Sequence, residues 1–428
     1  MSAAKPALRV VIAGGGPAAV EALLALHAMA EERVELELLA PSPDFVYRPL
    51  AVAEAFGAQP PDRFSLAHIA RDCGGRHRLG ALAGVDAGWR RALLSDGSEL
   101  AYDALVVAIG AAGRPALSGA LTFGGEEAGR TFSNLLRSIE AGEVRRVVFA
   151  LPGGVVWSLP LYELALMTAA RCQARGTRDV KLTLVTPEDA PLALFGRQAS
   201  AAVESSLRDA GVRLETRVYP AIVERDSLVL TPGGRIPAEV VVALPRLEGP
   251  RLAGLPYDSG GFIPTDRHGR VQGVDGVYAA GDATTFPIKQ GGLATQQADA
   301  VAEAVAAAAG APVDPQEFRP VLRGLLLTGG PPSYLRAEVR GGQGETSRAE
   351  VEPLWWPPSK IAGHYLSNYL ARLIAAHSPP TTGLRVEVDD FESLLRCAPD
   401  CGCAWWWQPV GSLGSTLRYA VDQLRVIH

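Results

Sequence analysis

The feature that most constrains the fold of this chain is an internal repeat. Residues 9–26, RVVIAGGGPAAVEALLAL, and residues 146–166, RVVFALPGGVVWSLPLYELAL, each combine an apolar run, a glycine-rich turn and a helix-forming segment. A second apolar run that ends in a Pro-containing loop follows each copy, at residues 34–45 and 180–191. Because strand, helix and strand in this order form a βαβ unit, the repeat predicts two parallel sheets.

The order of the segments predicts an α/β fold with two Rossmann-like, three-layer domains and a C-terminal α+β region. A chain of 428 residues has the length of two or three domains. We expect a discontinuous first domain, residues 1–115 and 255–325, and a second domain, residues 116–254. The Pro-rich stretch at residues 312–320 leads out of the first domain, and residues 326–428 form the C-terminal region.

Charge and composition exclude several classes of protein. The formal net charge of −5 lacks the basic footprint of a nucleic-acid-binding protein. No run of about 18 uncharged apolar residues predicts a spanning helix, and the N-terminus lacks the layout of a signal peptide. An odd number of cysteines, five, does not suggest a secreted disulfide framework. We therefore expect a cytoplasmic protein, with peripheral contact at the inner face of the membrane as an open alternative.

A phosphate site is predicted where the first strand of the repeat meets its helix. The pattern Gly14-x-Gly16-x-x-Ala19 allows a tight turn and a close approach of the backbone to a pyrophosphate. The following helix, which begins near Pro17 and Ala18, offers free N–H groups and a partial positive charge. A strand before this pattern and a helix after it favour a dinucleotide over a turn without a ligand.

One expected element of this site is missing. An acidic residue usually ends the second strand and binds the ribose hydroxyls, but Ala40 stands near that place. The hydroxyl of Ser42 is the substitute that we expect, and Asp44 is the nearest carboxylate.

A second ligand-binding element is predicted at Gly281-Asp282, after the apolar strand VYAA. A carboxylate just beyond a buried strand can accept a hydrogen bond from a sugar-alcohol hydroxyl, although an Asp can also cap the next turn. With YDALVVAIGA, which ends beside Gly110, these elements resemble the two-dinucleotide-domain flavoproteins of the pyridine nucleotide-disulfide oxidoreductase superfamily. The resemblance covers about residues 8–375 and implies an FAD site that is split along the sequence.

The resemblance also implies how the flavin is held. In such flavoproteins a helix that begins near Lys289 points its N-terminus at the flavin pyrimidine, where it stabilises the negative charge of reduced flavin. The alternatives are an ordinary helix N-terminus and a solvated loop lysine, and the strongest helix-forming sequence starts at about Thr295. The further cofactor-site residues that the resemblance implies are Arg48, Leu82, Ile109, Gly110, Gln290, Gly291, Ala294 and Thr295.

The second glycine loop leaves nicotinamide binding open. Relatives that use NAD(P)H carry a full Gly-x-Gly-x-x-Gly pattern, whereas this loop keeps the adjacent Gly153 and Gly154. Trp157 can block a pyrophosphate or stack on a ring. Glu188 can accept hydrogen bonds from ribose hydroxyls, or it can be a solvated acidic residue of the loop.

This degenerate loop resembles that of sulfide:quinone oxidoreductases and flavocytochrome-type sulfide dehydrogenases more than that of type II NADH dehydrogenases. The stretches FVYRPLAVAE, residues 45–54, and WWPPSKIAGHYLSNYLA, residues 355–371, resemble the same group. The sulfide enzymes need a cysteine pair beside the flavin, and Trp157 stands at about the position of one of these cysteines. We therefore do not expect the usual persulfide route, and the absence of Cys-x-x-Cys disfavours thioredoxin-reductase-like chemistry.

Lys360 is the candidate catalytic residue. By resemblance its segment returns toward the flavin, where a lysine can donate a proton to a reducible carbonyl. The alternative is a surface lysine at a helix start.

The tail carries three close cysteines, Cys397, Cys401 and Cys403, followed by three consecutive tryptophans, residues 405–407. The cysteines suit a metal site or a redox disulfide, or they are free thiols in a loop without a metal. The tryptophans suit a lipid-facing belt, core packing or a homodimer contact.

Together these features predict an FAD-dependent oxidoreductase. Electrons would pass from a small donor through flavin to a quinone or a redox protein, in a ping-pong sequence. One alternative is an NAD(P)H-dependent dehydrogenase or reductase. Another is a flavin-bearing subunit with little turnover that docks a partner through the Trp/Cys tail.

Overall fold

The structure, a computed structural model, describes residues 6–48, 50–58, 61–125, 127–177, 179–340, 343–344 and 347–377. The cysteines and the tryptophan run of the tail lie outside these residues. The helices are α1 (Pro17–Ala30), α2 (Ala51–Glu54), α3 (Leu66–Asp72), α4 (Ala128–Glu140), α5 (Leu159–Ala174), α6 (Arg197–Asp209), α7 (Gly291–Ala308) and α8 (Leu366–His377). The strands are β1 (Leu8–Ala13), β2 (Val34–Ala40), β3 (Asp44–Val46), β4 (Arg63–Ser65), β5 (Arg76–Leu79), β6 (Leu82–Asp86), β7 (Arg91–Leu94), β8 (Glu99–Ala101), β9 (Ala104–Val107), β10 (Ala112–Arg114), β11 (Leu121–Thr122), β12 (Arg146–Ala150), β13 (Lys181–Val185), β14 (Arg213–Glu215), β15 (Tyr219–Val223), β16 (Ser227–Thr231), β17 (Arg235–Pro237), β18 (Val240–Ala243), β19 (Arg246–Glu248), β20 (Val277–Ala279), β21 (Val321–Leu326), β22 (Ser333–Arg340), β23 (Gln343–Gly344) and β24 (Arg348–Glu350).

Two parallel sheets organise the molecule and confirm the predicted α/β class. The first has the strand order β20-β9-β1-β2-β5, and the second has the order β11-β18-β12-β13-β14. Within them, β1-α1-β2 and β12-α5-β13 are the two βαβ units of the repeat. Both faces of such sheets are covered, and the central strands β1, β9, β12 and β18 are apolar at most positions.

The first sheet is covered on one side by α1 and α7 and on the other by the antiparallel sheet β6-β7-β8. A turn at Asp96-Gly97 connects β7 to β8, and Gly97 has a φ of +84°. A turn at Gly233-Gly234 connects β16 to β17 in the same way.

The C-terminal part of the described chain is an antiparallel sheet followed by a helix. β21 pairs with β22, β22 pairs with β24, and α8 packs against α1. This mixed composition agrees with the α+β character expected of the region. Across the described residues, none of the helices combines the length and apolarity that a membrane crossing needs.

Helix α7 begins at Gly291, four residues before the start at Thr295 that its composition suggested. The side chain of Gln290 accepts a hydrogen bond from the backbone N–H of Leu293 at 2.7 Å. This cap satisfies one of the free N–H groups of the first turn and so holds two glycines in helical conformation. Composition alone therefore placed the helix start too late.

Candidate functional site

A cavity of about 880 Å³ lies at the carboxyl ends of the strands of both parallel sheets. Its lining includes residues that follow β1, β9 and β20 of the first sheet and residues that follow β12 and β18 of the second. Ligands of open α/β sheets bind at this edge. The split elements found in the sequence therefore converge on one space.

The first glycine loop forms one end of the cavity. Gly14 has a φ of +136°, and a Cβ at this position would overlap the carbonyl oxygen of Ala108. Gly14 thus allows the turn without lining the cavity, whereas Gly16, Pro17 and Ala18 line it. A Cβ on Gly16 would have no atom within 4 Å, and the first turn of α1 contains no acidic residue. The helix N-terminus is therefore open to an anion.

Gly281 and Asp282 follow β20 and line the cavity beside this loop. A Cβ on Gly281, where φ is +76°, would lie 3.2 Å from the Cβ of Ala18 and 3.3 Å from that of Ala294. Burial raises the pKa of Asp282, and the charge of Lys289 opposes that rise. Within the described part of the chain, no hydrogen-bond donor reaches this carboxylate, so it can accept from a ligand hydroxyl.

Lys289 and the N-terminus of α7 form the next part of the wall. The Lys289 Nζ lies 3.9 Å from the centroid of the Phe262 ring and donates a hydrogen bond to the carbonyl oxygen of Thr284. Burial lowers the pKa of Lys289 to about 8. No acidic residue stands in the first turn of α7, so its dipole adds to the positive charge here.

The remaining predicted cofactor residues divide into two groups. Arg48, Ile109, Gly110, Gln290, Gly291 and Ala294 line the cavity. Three others do not line it. Ser42 bonds to the backbone of Asp44, at 3.1 and 3.2 Å. Thr295 donates to the carbonyl oxygen of Gly292 at 3.0 Å, and Leu82 begins β6, away from the cavity.

The second glycine loop is only partly in the cavity. Gly154 and Trp157 line it, and Gly153 and Glu188 do not. The Glu188 carboxylate accepts hydrogen bonds from Tyr162 Oη at 2.6 Å, from Thr186 Oγ1 at 2.8 Å and from Ser158 Oγ at 3.0 Å. Ser158 and Tyr162 belong to the start of α5. The Glu188 carboxyl group therefore packs beside the first turn of α5, and burial raises its pKa.

Lys360 lies on the wall of the same cavity, in a buried ion pair. Its Nζ donates to both carboxylate oxygens of Glu163, at 2.6 and 2.7 Å, and Glu163 is 0% exposed. The backbone N–H of Leu327 also donates to Glu163, at 2.9 Å. Burial raises the pKa of Glu163, and the charge of Lys360 opposes that rise. The next residue, Ile361, packs so tightly on Gly291 that a Cβ there would lie 2.7 Å from its side chain.

Sequence reasoning missed Glu163. The signal was a lone carboxylate in the apolar helix segment LYELAL, where an unpaired charge is costly to bury. Its partner lies 197 residues away in the chain, so no local pattern identified the pair.

The residues of the cavity fit an FAD molecule. The open N-terminus of α1 suits the pyrophosphate, the unbonded carboxylate of Asp282 suits the sugar-alcohol chain, and the N-terminus of α7 suits the flavin pyrimidine. These three groups line one continuous space.

Comparison with solved structures shows the same fold. The sulfide:quinone oxidoreductase of Aquifex aeolicus superposes with a TM-score of 0.73, at 19% identity, over 86% of this chain and 91% of that one. A ferredoxin reductase from Rhodopseudomonas palustris superposes with a TM-score of 0.58, at 19% identity, over 77% and 82% of the two chains.

Comparison of sequences shows the family. An NADH dehydrogenase-like protein of Mycobacterium tuberculosis is 29% identical over 239 residues, which are 51% of this chain and 58% of that relative. The chain thus matches little more than half the length of this curated relative. The model of the family described as pyridine nucleotide-disulphide oxidoreductase matches residues 8–308, which confirms the resemblance predicted from the motifs. The chain therefore belongs to the pyridine nucleotide-disulphide oxidoreductase family.

Proposed function

We propose that this protein passes electrons from a small donor to a quinone or another redox acceptor. The observation that carries the proposal is the Lys360–Glu163 pair. The pair lies on the wall of the same cavity as the cofactor cradle, which consists of the N-termini of α1 and α7 and Asp282. Bound FAD supplies the electron transfer itself. The residues of the chain bind and orient the cofactor and control charge and protons around it.

The two ends of the cofactor cradle bind different parts of FAD. The N-terminus of α1, with Gly16, holds the phosphates, and Asp282 accepts from the hydroxyls of the sugar-alcohol chain. The N-terminus of α7 and Lys289 place positive charge where reduced flavin is negative.

Lys360 is the proposed proton donor to the acceptor. Reduction of a quinone to a hydroquinone consumes two electrons and two protons, and a lysine ammonium on the cavity wall can deliver a proton to a carbonyl oxygen. Glu163, bonded to Lys360 at 2.6 Å, positions this ammonium, and solvent that enters the cavity supplies the proton that restores it. The name of the Aquifex relative includes a quinone, which supports this class of acceptor.

The donor is proposed to be a small molecule other than NAD(P)H. The Glu188 carboxyl group is bonded to the side chains of Ser158 and Tyr162 at the start of α5, and in its ionised form it would repel a pyrophosphate, which disfavours a second dinucleotide. The name of the mycobacterial relative favours NADH as the second candidate. Anaerobic mixing of the holoprotein with NADH, NADPH, sulfide and a quinol separates these donors. Rapid bleaching of the flavin by NADH or NADPH would contradict the proposal and establish the second candidate.

The role of Lys360 is tested by Lys360→Met. We expect reoxidation of the reduced protein by a soluble quinone to slow by about 100-fold, because a positioned proton donor contributes about this much or more. Reduction by the donor should change little. Lys181→Met, which removes an exposed lysine in β13, is the matched control.

Glu163→Gln should slow the same half-reaction, because it removes the group that positions the ammonium. FAD content and the unfolding temperature must be measured for each variant, since one partner of a buried pair is left uncompensated. Normal reoxidation by a folded, FAD-loaded Lys360→Met protein would refute the assignment.

We propose a cytoplasmic location with peripheral contact at the membrane, where a lipid-soluble quinone would be met. Fractionation of cells that produce the full chain tests this, with release by salt or carbonate as the sign of peripheral attachment.

A further inference from the structure

Arg323 is a charged residue of the cavity wall that the proposed mechanism does not use. It lies in β21 and lines the cavity with its neighbours Gly324 and Leu325. Gly324 packs so closely that a Cβ there would lie 2.8 Å from the Leu159 side chain and 2.7 Å from the Phe195 ring. This strand therefore lies directly against the start of α5.

Strand β21 and the residue that follows it contact both the cap of α7 and the Lys360–Glu163 pair. The carbonyl oxygen of Arg323 accepts a hydrogen bond from Gln290, the cap of the flavin-facing helix α7, at 3.2 Å. Leu327, which follows β21, donates its N–H to Glu163. The backbone from Arg323 to Leu327 is thus bonded both to the cap of α7 and to the Lys360–Glu163 pair.

Within the described residues, the Arg323 guanidinium has no carboxylate partner. Its cross-strand neighbour in the β21–β22 register is Arg336, a like charge, which itself lies 3.7 Å from Glu338. Burial and this second cation both lower the pKa of Arg323. A half-buried arginine beside another cation is costly unless an anion comes to it.

The acidic side chains that line the cavity are already close to other cations. Glu163 is bonded to Lys360, while Asp282 and Asp258 both lie within the field of Lys289. The anion that would complement Arg323 is therefore not one of these carboxylates. It must come with a ligand.

The walls around Arg323 indicate what the rest of that ligand is like. Trp157, Phe286, Val155 and Leu325 line the same cavity, and the Trp157 ring lies 5.9 Å from that of Phe195. Apolar and aromatic walls with one fixed cation favour a flat, apolar body that carries a single negative group.

We infer that Arg323 binds the carboxylate of the substrate, which is an aromatic or quinonoid acid. The inference rests on the proposed function, because it names the chemical class that enters the same cavity. A planar guanidinium donates two parallel hydrogen bonds to a carboxylate, which gives orientation as well as affinity. The carboxylate would hold the ring of the substrate between Trp157 and the flavin-facing helix, with its other end toward Lys360.

The test measures binding to the holoprotein by titration calorimetry, without turnover. The probes are 2-naphthoate and its neutral isostere 2-naphthamide. We expect the wild type to bind the acid at least about tenfold more tightly, because hydrogen bonds from a guanidinium to a carboxylate are stronger than those to a neutral amide.

Arg323→Gln should abolish this preference, and Arg323→Lys should keep part of it. Arg336→Gln is the matched control, since it removes the neighbouring cation that does not line the cavity, and the preference should persist. Equal affinity for both probes, or a preference that survives Arg323→Gln, would overturn the inference. Loss of FAD from Arg323→Gln would overturn it too, because Arg323 would then serve the cofactor. None of these outcomes affects the proposed electron transfer, which fails separately if the wild-type holoprotein reduces no quinone.

Discussion

Among single residues, Lys289 is the cation that should most directly set the flavin potential. Its ammonium lies beside Asp282 and over the Phe262 ring, on the wall where the flavin pyrimidine is expected. A positive charge there stabilises reduced flavin more than oxidised flavin. At an effective interaction of about 1–2 kcal/mol, Lys289→Met should lower the midpoint potential by about 20–40 mV.

The effect of Lys289→Met on the midpoint potential should become smaller as the pH rises. Because the pKa of Lys289 is lowered to about 8, the ammonium is present below that pH and is lost above it. The difference between wild type and variant should therefore shrink as the pH rises past about 8. Spectroelectrochemical titration of both proteins measures it, with Lys181→Met as the control for a distant charge. An absent difference would show that Lys289 does not act on the flavin, and a difference that stays constant through this range would show that its ammonium does not titrate near pH 8.

Individual residues of the site differ in how well the sequence predicts them. Gly281 and Asp282 were identified because strand, glycine and acid are adjacent in the chain, and the structure places them on the cavity. The Lys360–Glu163 pair joins residues 197 positions apart, so it depends on tertiary packing that no local pattern records. Ser42 was chosen by its spacing alone, and its hydroxyl is instead used within its own turn.

Between elements, the contact of α1, α7 and α8 is built on two buried carboxyl groups. Glu21 in α1 accepts hydrogen bonds from the backbone N–H groups of Tyr365 and Leu366, where α8 begins, at 2.8 and 2.7 Å. Asp299 in α7 faces Glu21, and within the described chain its Oδ1 atom has no hydrogen-bond partner. Burial, then the charge of Glu21, then that of Glu303 raise the pKa of Asp299 to about 9.

This arrangement predicts that stability falls as pH rises. Asp299 is protonated in the folded protein up to about pH 9, whereas in the unfolded chain it loses its proton near pH 4. The contribution of Asp299 to the free energy of unfolding is thus complete below about pH 4. It is lost progressively up to about pH 9, by at most about 1.4 kcal/mol per pH unit. Asp299→Asn keeps a neutral group of the same shape at every pH. The variant should therefore lose less stability than the wild type between about pH 5 and about pH 9.

Urea unfolding of both proteins at several pH values measures this difference. The control is Glu204→Gln, which neutralises an exposed carboxylate on α6. Parallel stability–pH curves for wild type and Asp299→Asn would mean that Asp299 is ionised in the folded state.

On the scale of the whole molecule, the repeat was sufficient to predict two parallel sheets. Both βαβ units are present, because apolar strands that are buried on two faces leave an unambiguous pattern. The start of α7 was placed four residues late, because the cap that holds its glycines is a side chain and not a helix-forming composition. The division into domains at residues 115, 254 and 325 stays a prediction, as does the role of the tail.

The split cradle makes a final prediction about the holoprotein. Gly16 at the start of α1 and Asp282 beyond β20 are far apart in sequence, and each suits a different half of FAD. Removal of FAD should lower the unfolding temperature, because a ligand at about a thousandfold excess over its Kd stabilises the folded state by about 4 kcal/mol. Added FAD should restore the temperature, while FMN, which lacks the adenylate half, and ADP, which lacks the flavin half, should each restore only part of it. Differential scanning fluorimetry of the apoprotein with the three ligands tests this. If FMN stabilised as well as FAD, the first glycine loop would have no part in holding the cofactor, and the two ends of the cavity would not form one site.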